Sequence, residues 1–121
     1  MSFNWHLYLE LADELISHQQ TKSLEEAYWR SSISRSYYGV FCTARDRKGW
    51  QNLKTVEVHK YVIDKYKGSS ILLEKQVGKM LDELRRYRNR ADYDGDAKVS
   101  KDLADRALVR AKWILQNLAT S

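Results

Sequence analysis

Apolar residues at positions 73, 77, 80, 81, 84, 87 and 91 recur with a period of about 3.6 residues, the spacing of one helix face. The same reading predicts five helices along the chain. The first covers about 4–17, with Trp5, Tyr8, Leu9, Leu11, Ala12, Leu15 and Ile16 as its buried set. The second starts near Ser23, where Ser23-Leu24-Glu25-Glu26 has the form of a capping box, and runs to about Lys48 before Gly49 stops it. A short helix follows from about Val56 to Tyr66, closed by Gly68. Ser69 or Ser70 is placed to cap the fourth, which reaches about Tyr93 ahead of Gly95. Ser100 is placed to cap the last, whose stripe is Leu103, Ala104, Ala107, Leu108, Ala111, Ile114, Leu115 and Leu118. The pattern predicts an all-α, up-and-down bundle of four longer helices plus one short helix, folded as one domain over residues 1–121.

Two features depart from a plain amphipathic pattern. The middle of the second helix concentrates small residues, Ser31, Ser32, Ser34, Ser36 and Gly39, which predicts close approach of another backbone, with Tyr37, Val40, Phe41 and Ala44 filling the groove. The fourth helix carries Arg88 on its apolar stripe, four residues after Leu84 and three before Ala91, while Arg85, Arg86 and Arg90 flank that stripe or point away. An arginine on a packing face is costly unless it is paired or lines a cleft or interface.

Composition supports the helical reading and narrows the chemistry. The chain has no proline and five glycines, too few breakers for a strand-rich fold. A formal net charge of +5 permits a polyanionic partner, and basic residues gather at Arg85, Arg86, Arg88, Arg90 and at Arg45, Arg47, Lys48. Solvated helix faces would account for either cluster equally well. Cys42 is alone, so no internal disulfide is expected and its simplest role is that of a small buried hydrophobe. No apolar run reaches membrane-spanning length and the N-terminus lacks the form of a signal peptide, so a cytoplasmic protein without a membrane partner is expected.

The candidate site is Arg88, Asp92 and Tyr93. On a helix Asp92 lies one turn beyond Arg88, where it could take the guanidinium in a charge-assisted pair, and Tyr93 adds a phenol near the helix end. Such a set could hold RNA and stabilise charge on a phosphate during cleavage. An Arg–Asp pair locking a helix end in the core fits the same spacing. His59 could titrate near neutral pH, while His6 and His18 read as surface or partly packed residues. No Cys/His cluster has zinc spacing, no glycine-rich phosphate loop occurs, and Gly-x-Ser-x-Gly is absent, so no metal or cofactor is expected.

The segments Arg35-Ser36-Tyr37-Tyr38-Gly39-Val40-Phe41, Val58-His59-Lys60 and Leu84 to Asp94, with Arg-x-x-Ala-Asp-Tyr at 88–93, resemble the HEPN family over nearly the whole chain. The last segment is similar to the family's short stand-alone members, often encoded beside a minimal nucleotidyltransferase. The resemblance implies a helical bundle that forms a homodimer, with the two motif arginines facing one composite cleft. It also implies metal-independent ribonuclease activity in a toxin–antitoxin pair, the nucleotidyltransferase acting as antitoxin and able to modify a tyrosine near the motif. The family motif is Arg, four to six residues, then His. Arg88 matches the arginine, but the positions for the histidine hold Tyr93, Asp94 and Gly95. A phenol with a pKa of about 10 is a poor general base at neutral pH, so Tyr93 is better suited to orienting the 2′-hydroxyl or protonating the leaving oxygen, with His59 a candidate base from elsewhere in the fold.

Three readings therefore stand. The chain is a ribonuclease-type HEPN homodimer centred on Arg88, or a non-catalytic HEPN module binding RNA, a nucleotide or a partner protein. Otherwise it is an unrelated helical adaptor whose Arg88 staples a dimer. Four Trp and eight Tyr in so small a domain favour an interface in each case.

Overall fold

The computed structural model describes residues 3–18 and 21–120. It is all-helical: α1 Leu7–Ser17, α2 Glu25–Arg47, α3 Val58–Lys67, α4 Leu72–Tyr93 and α5 Lys101–Thr120, with one 3-10 turn at Lys22–Leu24 before α2. The long helix α2 is the hub, packing against α1, α4 and α5, while α3 lies mainly on α4. One continuous core joins Leu9, Ala12 and Ile16 of α1 to Ile33, Tyr37, Val40 and Phe41 of α2, Leu81 and Leu84 of α4, and Ala104, Ala111 and Ile114 of α5. No helix among the described residues is long and apolar enough to cross a membrane.

Helix boundaries follow local hydrogen bonding. α1 begins at Leu7 and not at Asn4, because Asn4 Oδ1 takes the His6 N–H at 3.1 Å and the next two amides bond three residues back to Asn4 and Trp5. Leu11, expected inside, is 41% exposed. The Ser23 capping box does not form: Ser23 sits in the 3-10 turn, and Glu26, its intended partner, binds Arg30 Nε at 2.9 Å. α3 starts two residues late, since Thr55 Oγ1 takes the Glu57 N–H at 3.2 Å and leaves Val56 98% exposed. At α4 the N-cap position is Ile71; Ser69 receives the Ile71 N–H at 3.1 Å from outside the helix and donates to Glu74 at 2.7 Å. Ser100 caps α5 as expected, accepting the Leu103 N–H at 3.2 Å.

Gly49 has a φ of 75°, and around it Gly49 N–H bonds Asp46 O and Trp50 N–H bonds Arg45 O, the Schellman pattern that ends α2. The small-residue face of α2 behaves as its sequence predicts, apart from Ser31, which is exposed. Ser32 is buried and donates to Ala12 O at 2.8 Å. A Cβ on Gly39 would run into Leu9 and the Trp5 carbonyl, so glycine is what lets α1 lie against α2. Cys42 is buried in the core, and burial pushes its thiol pKa up, as expected of a packing residue.

The end of α4 is held by α2. Arg30 Nη1 donates to the carbonyls of Arg90, Ala91 and Asp94 at 3.3, 3.0 and 3.0 Å, and Nη2 donates to Ala97 O. Gly95, expected to stop the helix, does not take a left-handed conformation. The guanidinium of Arg30 satisfies the terminal carbonyls instead.

Candidate anion-binding site

Arg88 lies on the buried face of α4, 6% exposed, as its place in the apolar stripe requires. Its guanidinium carbon is 5.3, 5.2 and 5.6 Å from the ring centres of Tyr37, Tyr38 and Tyr93. The first two rings come from the middle of α2, and Tyr93 from the end of the same helix as Arg88. Nη1 donates to the Tyr93 hydroxyl at 3.3 Å, and Nε is buried without a hydrogen-bond partner.

The expected Arg88–Asp92 pair is not formed. Asp92 Oδ2 accepts instead from Ser34 Oγ at 3.1 Å, across the α2–α4 interface. Among the described residues no carboxylate pairs with Arg88. The site thus unites Arg88 and Tyr93 directly, while Asp92 turns toward α2.

The structure adds residues that were not assigned to the site. Arg85, read as flanking the stripe, is half-buried, and its Nε is also buried without a partner. Its spacing is the signal that identifies it, because a residue three before Arg88 lies on the same side of a helix. Arg35 stacks over Tyr8 at 4.6 Å and Tyr38 at 5.3 Å. His59 and Tyr37 come together at 2.6 Å between Nδ1 and the hydroxyl, and His59 stacks on Phe41 at 4.2 Å between ring centres. No spacing in the sequence links α3 to α2 in this way.

His59 does not titrate near neutrality. Burial, then the positive charges of Arg88, Arg85 and Arg45, lower its pKa to about 4. Burial raises the Tyr37 phenol above its ordinary range, with Arg85 and Arg88 only partly opposing. Both groups therefore stay neutral at pH 7, and the 2.6 Å contact is a hydrogen bond between the phenol and Nδ1. With its pKa lowered to about 4, His59 is a poor general base at neutral pH.

Several other basic groups are paired with acids. Arg45 binds Asp46 at 2.8 Å, Lys48 binds Glu74 at 2.6 Å and Arg86 binds Asp82 at 2.9 Å. An open groove of about 700 Å³ on α3, lined by Leu53, Glu57, Lys60, Tyr61 and Asp64 among others, excludes Arg35, Arg85 and Arg88. Its Lys60 and Asp64 satisfy each other at 2.6 Å, so it holds less unbalanced charge than the Arg88 cluster. Among the described residues no group of three or more His, Cys, Asp or Glu side chains is arranged to hold a metal ion.

Chemically, the cluster is a set of cationic and neutral donors framed by aromatic faces, and its one nearby carboxylate, Asp92, accepts from Ser34 and pairs with neither Arg35 nor Arg88. That combination suits a phosphate with a base stacked beside it. Compared with known proteins, the chain matches no protein-family model and has no match among curated proteins.

Proposed function

We propose that this chain is a HEPN-type RNA-binding protein that works as a homodimer, with the Arg88 clusters of two copies facing one cleft that holds the RNA backbone. The observation that carries this reading is Arg88 itself: a residue 6% exposed, with no carboxylate partner among the described residues and an orphaned Nε. A charge so placed is expensive in the free protein and is relieved by an incoming anion. Of the surrounding tyrosines, the exposed Tyr93 and the half-buried Tyr38 add the stacking faces that single-stranded RNA uses, while Tyr37 is buried beneath them.

A second reading, metal-independent RNA cleavage, is favoured by the 3.3 Å hydrogen bond between Arg88 Nη1 and the Tyr93 hydroxyl. In that reaction the 2′-hydroxyl attacks the adjacent phosphorus and the 5′-oxygen leaves, giving a 2′,3′-cyclic phosphate and a 5′-hydroxyl end. The 2′-hydroxyl proton would pass to solvent water, Arg88 would stabilise the charge on the phosphoryl oxygens, and Tyr93 would protonate the leaving oxygen and regain its own proton from water. A nucleotidyltransferase antitoxin belongs to the same proposal: the phenol it would modify, Tyr93, is 74% exposed.

Incubation of total RNA and tRNA with the protein in EDTA, beside binding measurements and an Arg88→Ala variant, tests both readings. Binding abolished in the variant, without cleavage by either protein, supports the binding module. Cleavage abolished only in the variant supports the nuclease. Equal binding by both proteins overturns the site, and sedimentation as a monomer at micromolar concentration overturns the composite cleft.

A further inference from the structure

Arg35 lies on α2 with Tyr38 between its neighbourhood and that of Arg88: the two guanidinium carbons are 5.3 and 5.2 Å from the same Tyr38 ring centre. The far side of Arg35 rests on Tyr8 of α1 at 4.6 Å. Among the described residues its one hydrogen bond runs from Nη2 to Ser34 Oγ at 3.4 Å, and no carboxylate pairs with it. Ser34 Oγ in turn donates a hydrogen bond to Asp92 Oδ2 at 3.1 Å. The acid one turn beyond Arg88 therefore orients Arg35 through a buried serine, and most of the Arg35 donor fork is left open.

We infer that Arg35, Tyr38 and Tyr8 form a second phosphate subsite beside Arg88, so that each copy grips two successive phosphates of one RNA strand. The inference rests on the reading of Arg88 as an RNA phosphate site. Three features carry it beyond a packed surface arginine. Planar cations on aromatic faces keep their N–H edges free for a bidentate oxyanion. Tyr38 is shared, which ties the two cations to one continuous surface. Asp92 accepts from Ser34 and forms no ion pair with either arginine, so it orients Arg35 without occupying its donor fork. The two guanidinium carbons lie no farther apart than the sum of their distances to the Tyr38 ring centre, and with a hydrogen bond's reach at each end the pair can engage neighbouring phosphates of an extended strand. A base from the intervening nucleotide can then stack on the exposed Tyr93 ring.

The test is the salt dependence of binding of an end-labelled short single-stranded RNA, followed by fluorescence anisotropy across a range of KCl concentrations. Removing one cation that neutralises a phosphate lowers the slope of log K against log salt by about 0.7 for a single strand. The expected result is a drop of about that size for Arg88→Ala, a similar drop for Arg35→Ala, and nearly the sum of both in the double variant. Arg35→Lys keeps the charge and is expected to restore most of the slope, which a general folding defect would not do. Unchanged slope in Arg35→Ala with a reduced slope in Arg88→Ala overturns the second subsite and leaves the Arg88 reading standing. Absence of binding by the unaltered protein overturns both. Duplex RNA bound as tightly as the single strand, with the same Arg35 dependence, overturns the assignment to one extended strand.

Discussion

Replacing Arg88 with methionine separates a functional arginine from a structural one. Methionine has nearly the same length and fills irregular core space, so the stripe of α4 is completed without a cavity. In the native chain Arg88 is 6% exposed, lacks an ion-pair partner among the described residues and makes one hydrogen bond, at 3.3 Å to Tyr93. On the favourable side stand the three tyrosine faces near its guanidinium. Each contributes about 0.5–1 kcal/mol, with somewhat more for a desolvated ring. On the unfavourable side stands desolvation of a charge without a compensating carboxylate, several kcal/mol after relaxation and water penetration. The balance favours the variant by about 1–2 kcal/mol, within the range found when buried ionic groups are exchanged for apolar ones. For a chain of this size that is a rise in Tm of about 3–8 °C. Urea denaturation of both proteins under identical conditions, with RNA binding measured in parallel, is the assay. The expected outcome is higher stability together with abolished binding. A variant less stable than the native protein by more than about 2 kcal/mol would refute the reasoning, because it would show Arg88 holding the fold together.

Arg30→Ala is expected to cost about 2–3 kcal/mol, since the part-buried carbonyls of Ala91 and Ala97 are left without their donor while the exposed ones of Arg90 and Asp94 turn to water. Hydrogen exchange should rise first at residues 91–97, and a uniform rise across the chain would count against a local clamp. Gly78→Ala should destabilise by about 1–2 kcal/mol despite the better helix propensity of alanine, because the new methyl group meets the backbone at Tyr66 and Lys67. An increase in thermal stability would show that α3 can retreat from α4 at no cost. His59 is protonated less readily in the folded chain than in the unfolded one, with a folded pKa of about 4 against about 6.5. Its contribution is therefore complete above the unfolded pKa and is lost as pH falls from about 6.5 through 4, on the order of 2 kcal/mol once solvent screening is allowed for. The stability difference between the native protein and His59→Gln should shrink over that window, and a constant difference from pH 7 to about 4 would contradict the assignment.

The Arg88 site was partly legible because a helix turns local spacing into geometry. Arg88 and Ala91 had to share the buried face of α4 with Leu84, whatever else the fold did. Spacing also allowed Asp92 to reach Arg88, yet a better-placed donor stood across the α2–α4 interface, and Ser34 took the carboxylate. Arg35, Tyr38 and Tyr37 belong to a segment whose role in packing was readable, and their convergence on Arg88 depends on how α2 crosses α4. His59 illustrates the same limit: its pKa comes from burial and from arginines distant in sequence.

Periodicity and the absence of proline determined an all-helical chain, its five segments and most of the faces they bury, because those properties arise within about four residues along one helix. Helix starts were less secure, since Asn4, Thr55 and Ser69 each divert a backbone amide that a capping rule would assign differently. Only the tertiary structure decided which partners polar groups chose: Arg30 on the carbonyls that end α4, Asp92 on Ser34, and Arg88 among three tyrosines with no carboxylate paired to it among the described residues. Those choices are competitions between groups brought together by helix packing, and a linear chain does not contain the distances that settle them.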